Sequence, residues 1–99
     1  MASRRGRAWL DDLDPGVRPY VELLVDNGIH TYESCEGGDG HCHAEPTVRF
    51  FGKMDDGMKA LGLVIERDLL VRALHRLWTV VDREPTGPDW ELVFWKKAV

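Results

Sequence analysis

Long apolar runs are missing from this chain. No stretch approaches the ~20 residues that a membrane span needs. The basic N-terminal run Ser3-Arg4-Arg5-Gly6-Arg7 is not followed by the apolar segment of a secretory signal. A cytosolic location is therefore expected, and with it reduced thiols. Cysteine is scarce: Cys35 and Cys42 are the only two. A disulfide between them is open to the chain only if the strands flanking them pair, and the compartment argues against it. A basic surplus is also missing. Thirteen Lys and Arg face 17 Asp and Glu, a net charge of −4, whereas a general nucleic-acid binder carries a positive excess. Nucleic acid is not an expected partner, and the basic run reads as part of a solvated, flexible tail over residues 1–12.

What is present suits one globular domain. Ninety-nine residues are enough for a single core and too few for two. Four tryptophans and three phenylalanines give that core large apolar pieces to bury.

The pattern along the chain predicts six elements. Asp14-Pro15 reads as a helix start, with Asp14 as N-cap and Pro15 at the first helical position. Val17, Tyr20, Val21, Leu24 and Val25 then form one apolar stripe, and Asn27-Gly28 supplies a left-handed stop. This predicts a helix over 15–27. Ile29 to Ser34 and Thr47 to Phe51 read as strands. Asp55-Asp56 opens a second helix whose buried stripe is Met58, Leu61, Val64 and Ile65. Asp68 marks either a break before a short helical piece over 70–76 or a point within one long helix over 56–77. Trp78–Asp82 and Trp90–Trp95 read as two further strands, separated by the turn-rich segment Arg83–Asp89. Trp90, Leu92 and Phe94 share the face expected to meet the core. Two hairpins, each preceded by a helix, imply a two-layer α+β domain: a four-stranded antiparallel sheet with two helices on one face, in the order α-β-β-α-β-β.

The stretch between the first two strands carries most of the reactive residue types. It holds Cys35, Cys42, His41 and His43, with Gly37, Gly38 and Gly40 close by. A loop of this length is longer than a hairpin usually has, and such loops are where function concentrates.

Three segments, Glu33-Ser34-Cys35-Glu36-Gly37-Gly38-Asp39-Gly40-His41, Glu45-Pro46-Thr47-Val48-Arg49-Phe50 and Glu84-Pro85-Thr86-Gly87-Pro88-Asp89-Trp90-Glu91-Leu92, are similar to those of a group of small uncharacterised proteins of bacteria and their phages. The likeness runs from Tyr20 to Phe94, with Cys42 and His43 outside the shared pattern. The resemblance implies a phage or prophage setting, in which small domains act by binding host or rival proteins. It implies no established activity.

Three chemistries compete for the loop. Cys35, His41 and His43 could supply three zinc ligands, although the run His41-Cys42-His43 alternates faces on an extended chain. Cys35 and His41 could form a nucleophile–base pair, with glycine N–H groups for an oxyanion. Gly37, Gly38 and Gly40 could form a nest for a ligand, but the loop leads into a strand rather than a helix, and Glu33, Glu36, Asp39 and Glu45 repel anions. Arg49, Asp82 and Glu91 are placed for cross-strand ion pairs, while His30 and His75 read as ordinary surface histidines. Trp9 and Trp95 together would suit homodimerisation.

The expected function is a non-enzymatic protein-binding module. Its binding residues are Glu33, Ser34, Cys35, Gly37, Gly38, Asp39, Gly40 and His41, and it needs no cofactor. The alternative is a small Cys/His or zinc-dependent enzyme centred on Cys35 and His41.

Overall fold

The computed structural model describes residues 8–38, 40 and 43–96. A short 3-10 helix (Ala8–Asp12) is followed by α1 (Arg18–Asp26), β1 (His30–Cys35), β2 (Thr47–Phe51), α2 (Met54–Glu66), β3 (Val71–Val81) and β4 (Glu84–Phe94). The strands form one antiparallel sheet in the order β1-β2-β4-β3, and both helices pack on one face of it. This is the expected two-layer α+β architecture. Among the described residues no helix is long and apolar enough to cross a membrane.

Strand alternation builds the core. Val48 and Phe50 of β2 and Trp90, Leu92 and Phe94 of β4 all point to the helix side and are buried, as the period of two requires. Against them α1 sets Tyr20, Val21 and Leu24, and α2 sets Ala60 and Val64. Tyr20 stacks on Phe94 with ring centroids 4.0 Å apart. Trp90 is fixed at both ends. Its Nε1–H donates to the Gly52 carbonyl at 3.0 Å, and its ring fills the space left by the missing side chain of Gly57, where a Cβ would meet the indole at 2.5 Å.

The first helix starts later than expected. Asp14 makes no side-chain cap; its carbonyl instead accepts from the N–H groups of Val17 and Arg18 in a preliminary turn. Helical geometry then begins at Arg18, with Pro19 in the first turn, where its missing N–H costs nothing. The chain is also ordered earlier than a tail over 1–12 would allow. Ala8–Asp12 forms its 3-10 turn because Leu10 inserts into the core, 1% exposed. The remainder of that expected tail, residues 1–7, lies outside the described residues.

Neither helical alternative for residues 70–77 holds. The second helix ends at Glu66, Asp68 takes a left-handed conformation with φ 56°, and the chain enters β3 at Val71. The misleading signal was the three-residue spacing of Val71 and Leu74. A β-bulge generates it: Val71 lies opposite Phe94 but Ala73 lies opposite Val93. The extra residue brings Val71 and Leu74 to the same face of a strand.

The second hairpin is longer, and its turn shorter, than expected. Only Asp82 and Arg83 turn, both with positive φ (50° and 70°), the arrangement that suits a two-residue hairpin loop. Pro85, Gly87 and Pro88 belong to β4. They are tolerated because β2 pairs with β4 only from Trp90 to Val93, so the prolines interrupt no ladder on that side. Residues 78–87 are all exposed and form a two-stranded ribbon that projects past the sheet.

Candidate functional site

The site is built where one end of the sheet meets the loop over residues 36–46. Cys35 and Thr47 are the last pair of β1 and β2. Beyond them the two arms of the loop run in close contact. Gly37 has φ 82°, and a Cβ there would lie 2.5 Å from the Glu45 carbonyl carbon, so only glycine fits. The Gly38 N–H donates to the Ala44 carbonyl at 3.0 Å, pinching the arms together. Glu36 anchors the loop from below, its Oε1 accepting from Gly16 N–H at 3.1 Å.

Cys35 is a free thiol buried beneath this loop. Its Sγ accepts from Gly37 N–H at 3.4 Å, the setting of a packed thiol that holds a turn. His41, Cys42 and Asp39 lie outside the described residues. The Cys35–His41 pair, and the three-ligand zinc set of Cys35, His41 and His43, therefore each include a member outside the described residues. The third ligand candidate, His43, has its Nε2 3.6 Å from Glu33 Oε2. Among the described residues no group of three or more His, Cys, Asp or Glu side chains is placed to hold a metal ion.

Glu33 leads into a feature that spans all four strands. On the face away from the helices, Glu33 of β1 lies opposite Arg49 of β2, Arg49 opposite Glu91 of β4, and Glu91 opposite His75 of β3. Arg49 Nε donates to Glu91 Oε2 at 2.9 Å, and its Nη1 lies 3.6 Å from Glu33 Oε1. His75 Nδ1 lies 3.1 Å from the other Glu91 oxygen. With His43 at its end, the row runs His43–Glu33–Arg49–Glu91–His75. Burial alone would push the Glu91 carboxyl up, but hydrogen bonds from His75 and Arg49 outweigh it and hold the group below its ordinary value. Burial would likewise lower the Arg49 guanidinium. The Glu91 hydrogen bond and the charges of Glu33 and Glu91 overcome that and hold the proton more firmly.

An aromatic pair flanks the row. Tyr32 stacks on Phe51 with centroids 4.4 Å apart, and both are exposed. Tyr32 OH donates to Asp89 Oδ2 at 3.1 Å. Burial, followed by that hydrogen bond, pushes the Tyr32 hydroxyl up to about 12. At the loop end, Arg72 bonds Glu45 at 3.0 Å and lies over the Trp95 ring.

The described members of the expected binding set do not all share one face. Glu33 and Cys35 share the open face, whereas Ser34 pairs with Val48 and points to the helix side. Gly37 and Gly38 serve the pinch, and Gly40 is exposed. Of the expected ion pairs Arg49–Glu91 is present, while Asp82 sits in the hairpin turn, away from the row. His75, read as an ordinary surface histidine, is a member of the row. Its signal was a polar residue at the strand position facing Glu91, visible only once β3 was known to be a strand.

A cavity of about 360 Å³ opens on the other side of the loop, between α1 and the end of α2. Pro19, Pro46 and Leu69 give it apolar walls, and Glu36, Asp68 and Lys96 give it charges of both signs. It therefore selects no single ligand charge. No family model, curated protein or solved structure matches this chain.

Proposed function

We propose that the chain is a non-enzymatic module that receives a protein partner on the open face of its sheet, with the 36–46 loop as one border. The observation that carries this reading is the stacked, exposed Tyr32–Phe51 pair beside a row of charges that satisfy one another. Exposed aromatic area is what protein interfaces use as anchors. Glu33 and Glu91 both reach Arg49, so covering the row leaves neither carboxylate without a partner. Nothing in this reading requires a cofactor. A cytoplasmic setting accords with the free Cys35 thiol. The net charge of −4 favours protein over nucleic acid as the partner. That the partner is a host or rival protein in a phage setting rests on the motif resemblance.

A photo-crosslinking amino acid placed at Phe51, and in a control chain at Ile65 on the exposed side of α2, tests the assignment inside cells. Discrete crosslinked species from position 51 and none from 65 are expected. No species from 51, or the same species from both, would overturn it.

A further inference from the structure

The two edges of the sheet are treated differently. β1 is six residues long and is bulged between Thr31 and Glu33. Shortness and bulges are usual means of protecting an edge. β3 is 11 residues long and, among the described residues, pairs with β4 alone. Its outer half carries Trp78, Val80 and Val81, exposed by 57%, 67% and 51%. That half belongs to the projecting ribbon, and a two-stranded ribbon without further support is marginal in water.

We infer that β3 pairs with β3 of a second copy of this chain, antiparallel and centred on Thr79, joining two sheets into one of eight strands. The charge pattern selects both occupant and register. β3 carries Arg72, His75 and Arg76 and no acidic residue, and Asp82 follows at its end. About a twofold axis at Thr79, Trp78 meets the partner's Val80, Leu77 meets the partner's Val81, and Arg76, which also lies over its own Trp90 ring at 4.9 Å, meets the partner's Asp82. Each exposed apolar side chain gains an apolar neighbour, the threonines face each other, and opposite charges close both ends, all favourable cross-strand pairs. A register centred on Arg76 sets like charges together. One centred on Trp78 places Arg76 against the partner's Val80. One centred on Leu77 matches Asp82 with the partner's Arg72, which Glu45 already holds. Beyond Asp82 the partner's chain turns toward its own β4 through Arg83, so His75 meets no strand residue of the partner. The contact is isologous, so it closes at two copies. It uses an edge rather than the open face and is independent of the role proposed for that face.

Sedimentation of the full chain across a wide concentration series, with cysteine crosslinking, tests this. The unsubstituted chain is expected to reach a dimer. Asp82→Arg weakens the dimer about fivefold, and adding Arg76→Asp restores it, because the exchanged charges attract again. Thr79→Cys, in a Cys42→Ala background under oxidised glutathione, crosslinks to itself, because directly opposed strand residues lie about 4.5–5.5 Å apart at Cα, within disulfide reach. Val81→Cys does not, since its symmetry mate is four residues away, roughly 13 Å along the strand. The 79–79 link is confirmed by peptide mass. A chain that stays monomeric throughout the series overturns the inference, whether its edge is bare or taken by another protein. So does a dimer in which Leu77→Cys or Val81→Cys links in place of Thr79→Cys.

Discussion

Phe50 and Phe51 are neighbours on β2, yet one is fully buried and the other 52% exposed. The same contrast runs across the whole sheet. Its helix side is closed by apolar packing, with Trp90, Leu92 and Phe94 against two helices. Its other side is closed by charges that pair with one another, and it leaves aromatic rings uncovered. One face is organised by burial, which is non-directional and large. The other is organised by hydrogen-bonded ion pairs, which fix geometry but add little net stability where water reaches them. Stability is therefore expected to reside on one side and recognition on the other.

Alanine at the two phenylalanines is the strongest way to break that comparison. Phe50→Ala is expected to cost about 3–5 kcal/mol in urea unfolding. Phe51→Ala costs under about 1 kcal/mol, mostly the lost stack on Tyr32. Equal losses would mean that the open face is covered. The next largest effect sharpens the helix side. Gly57→Ala brings a methyl group to 2.5 Å from the Trp90 ring. Overpacking costs about 1–3 kcal/mol, which exceeds the ~1 kcal/mol of helix propensity that alanine returns. Gly62→Ala, in the same helix with nothing within 4 Å, keeps only the gain. Opposite signs in thermal unfolding are expected.

The open face is probed by charge. Arg49→Met leaves Glu91, 15% exposed, with His75 as its remaining partner, and is expected to cost about 1–2 kcal/mol. Adding Glu91→Gln recovers part of the loss, read as a coupling energy in a double-mutant cycle. The pH dependence has a definite sign. Because the native Glu91 carboxyl is held below its ordinary value of 4.5, its contribution is complete above that value. It is lost as pH falls through the lower native value. Glu91→Gln removes this share of the acid sensitivity. The smallest effect is spectroscopic. Tyrosinate absorbance should show one group ionising near 12 that Tyr32→Phe abolishes. The raised value means that Tyr32 stabilises the fold below its ordinary value of 10.0, and that this is lost as pH climbs toward the native one.

Most of the helix-facing half of the molecule was legible from the sequence, but the stripe of α2 was misplaced: Met58 and Ile65 are exposed, and Gly57, Ala60 and Val64 are buried. The stripe of α1, the inward set Trp90, Leu92 and Phe94, and the two-hairpin order follow from periods of 3.6 and 2 that burial enforces. The open face was less legible, because a polar residue on a strand says only that water is near, not which strand lies beside it. Arg49 and Glu91 were recognisable as a pair, but His75 joined them only through β3. That strand was hidden by a bulge that imitates helical spacing at Val71 and Leu74. The turn was misplaced for a related reason. Pro85 and Pro88 signal a turn inside a sheet, but on a free ribbon they cost nothing.

The two irregularities of the second hairpin cancel. At Val71/Ala73 the surplus residue belongs to β3, and at Leu77/Thr79 it belongs to β4, so partners that number 165 in sum near both ends of the hairpin number 166 between them. A hairpin zipped straight from Asp82-Arg83 would arrive at the core one residue out of phase, with Leu74 aimed at the wrong layer. The slack that corrects this lies between Thr86 and Asp89, outside everything the helices touch. Losing one residue there would straighten the ribbon and leave Trp90 in place, whereas losing one between Trp90 and Phe94 would turn the core inside out. A one-residue deletion at that spot is therefore expected to leave the core register intact.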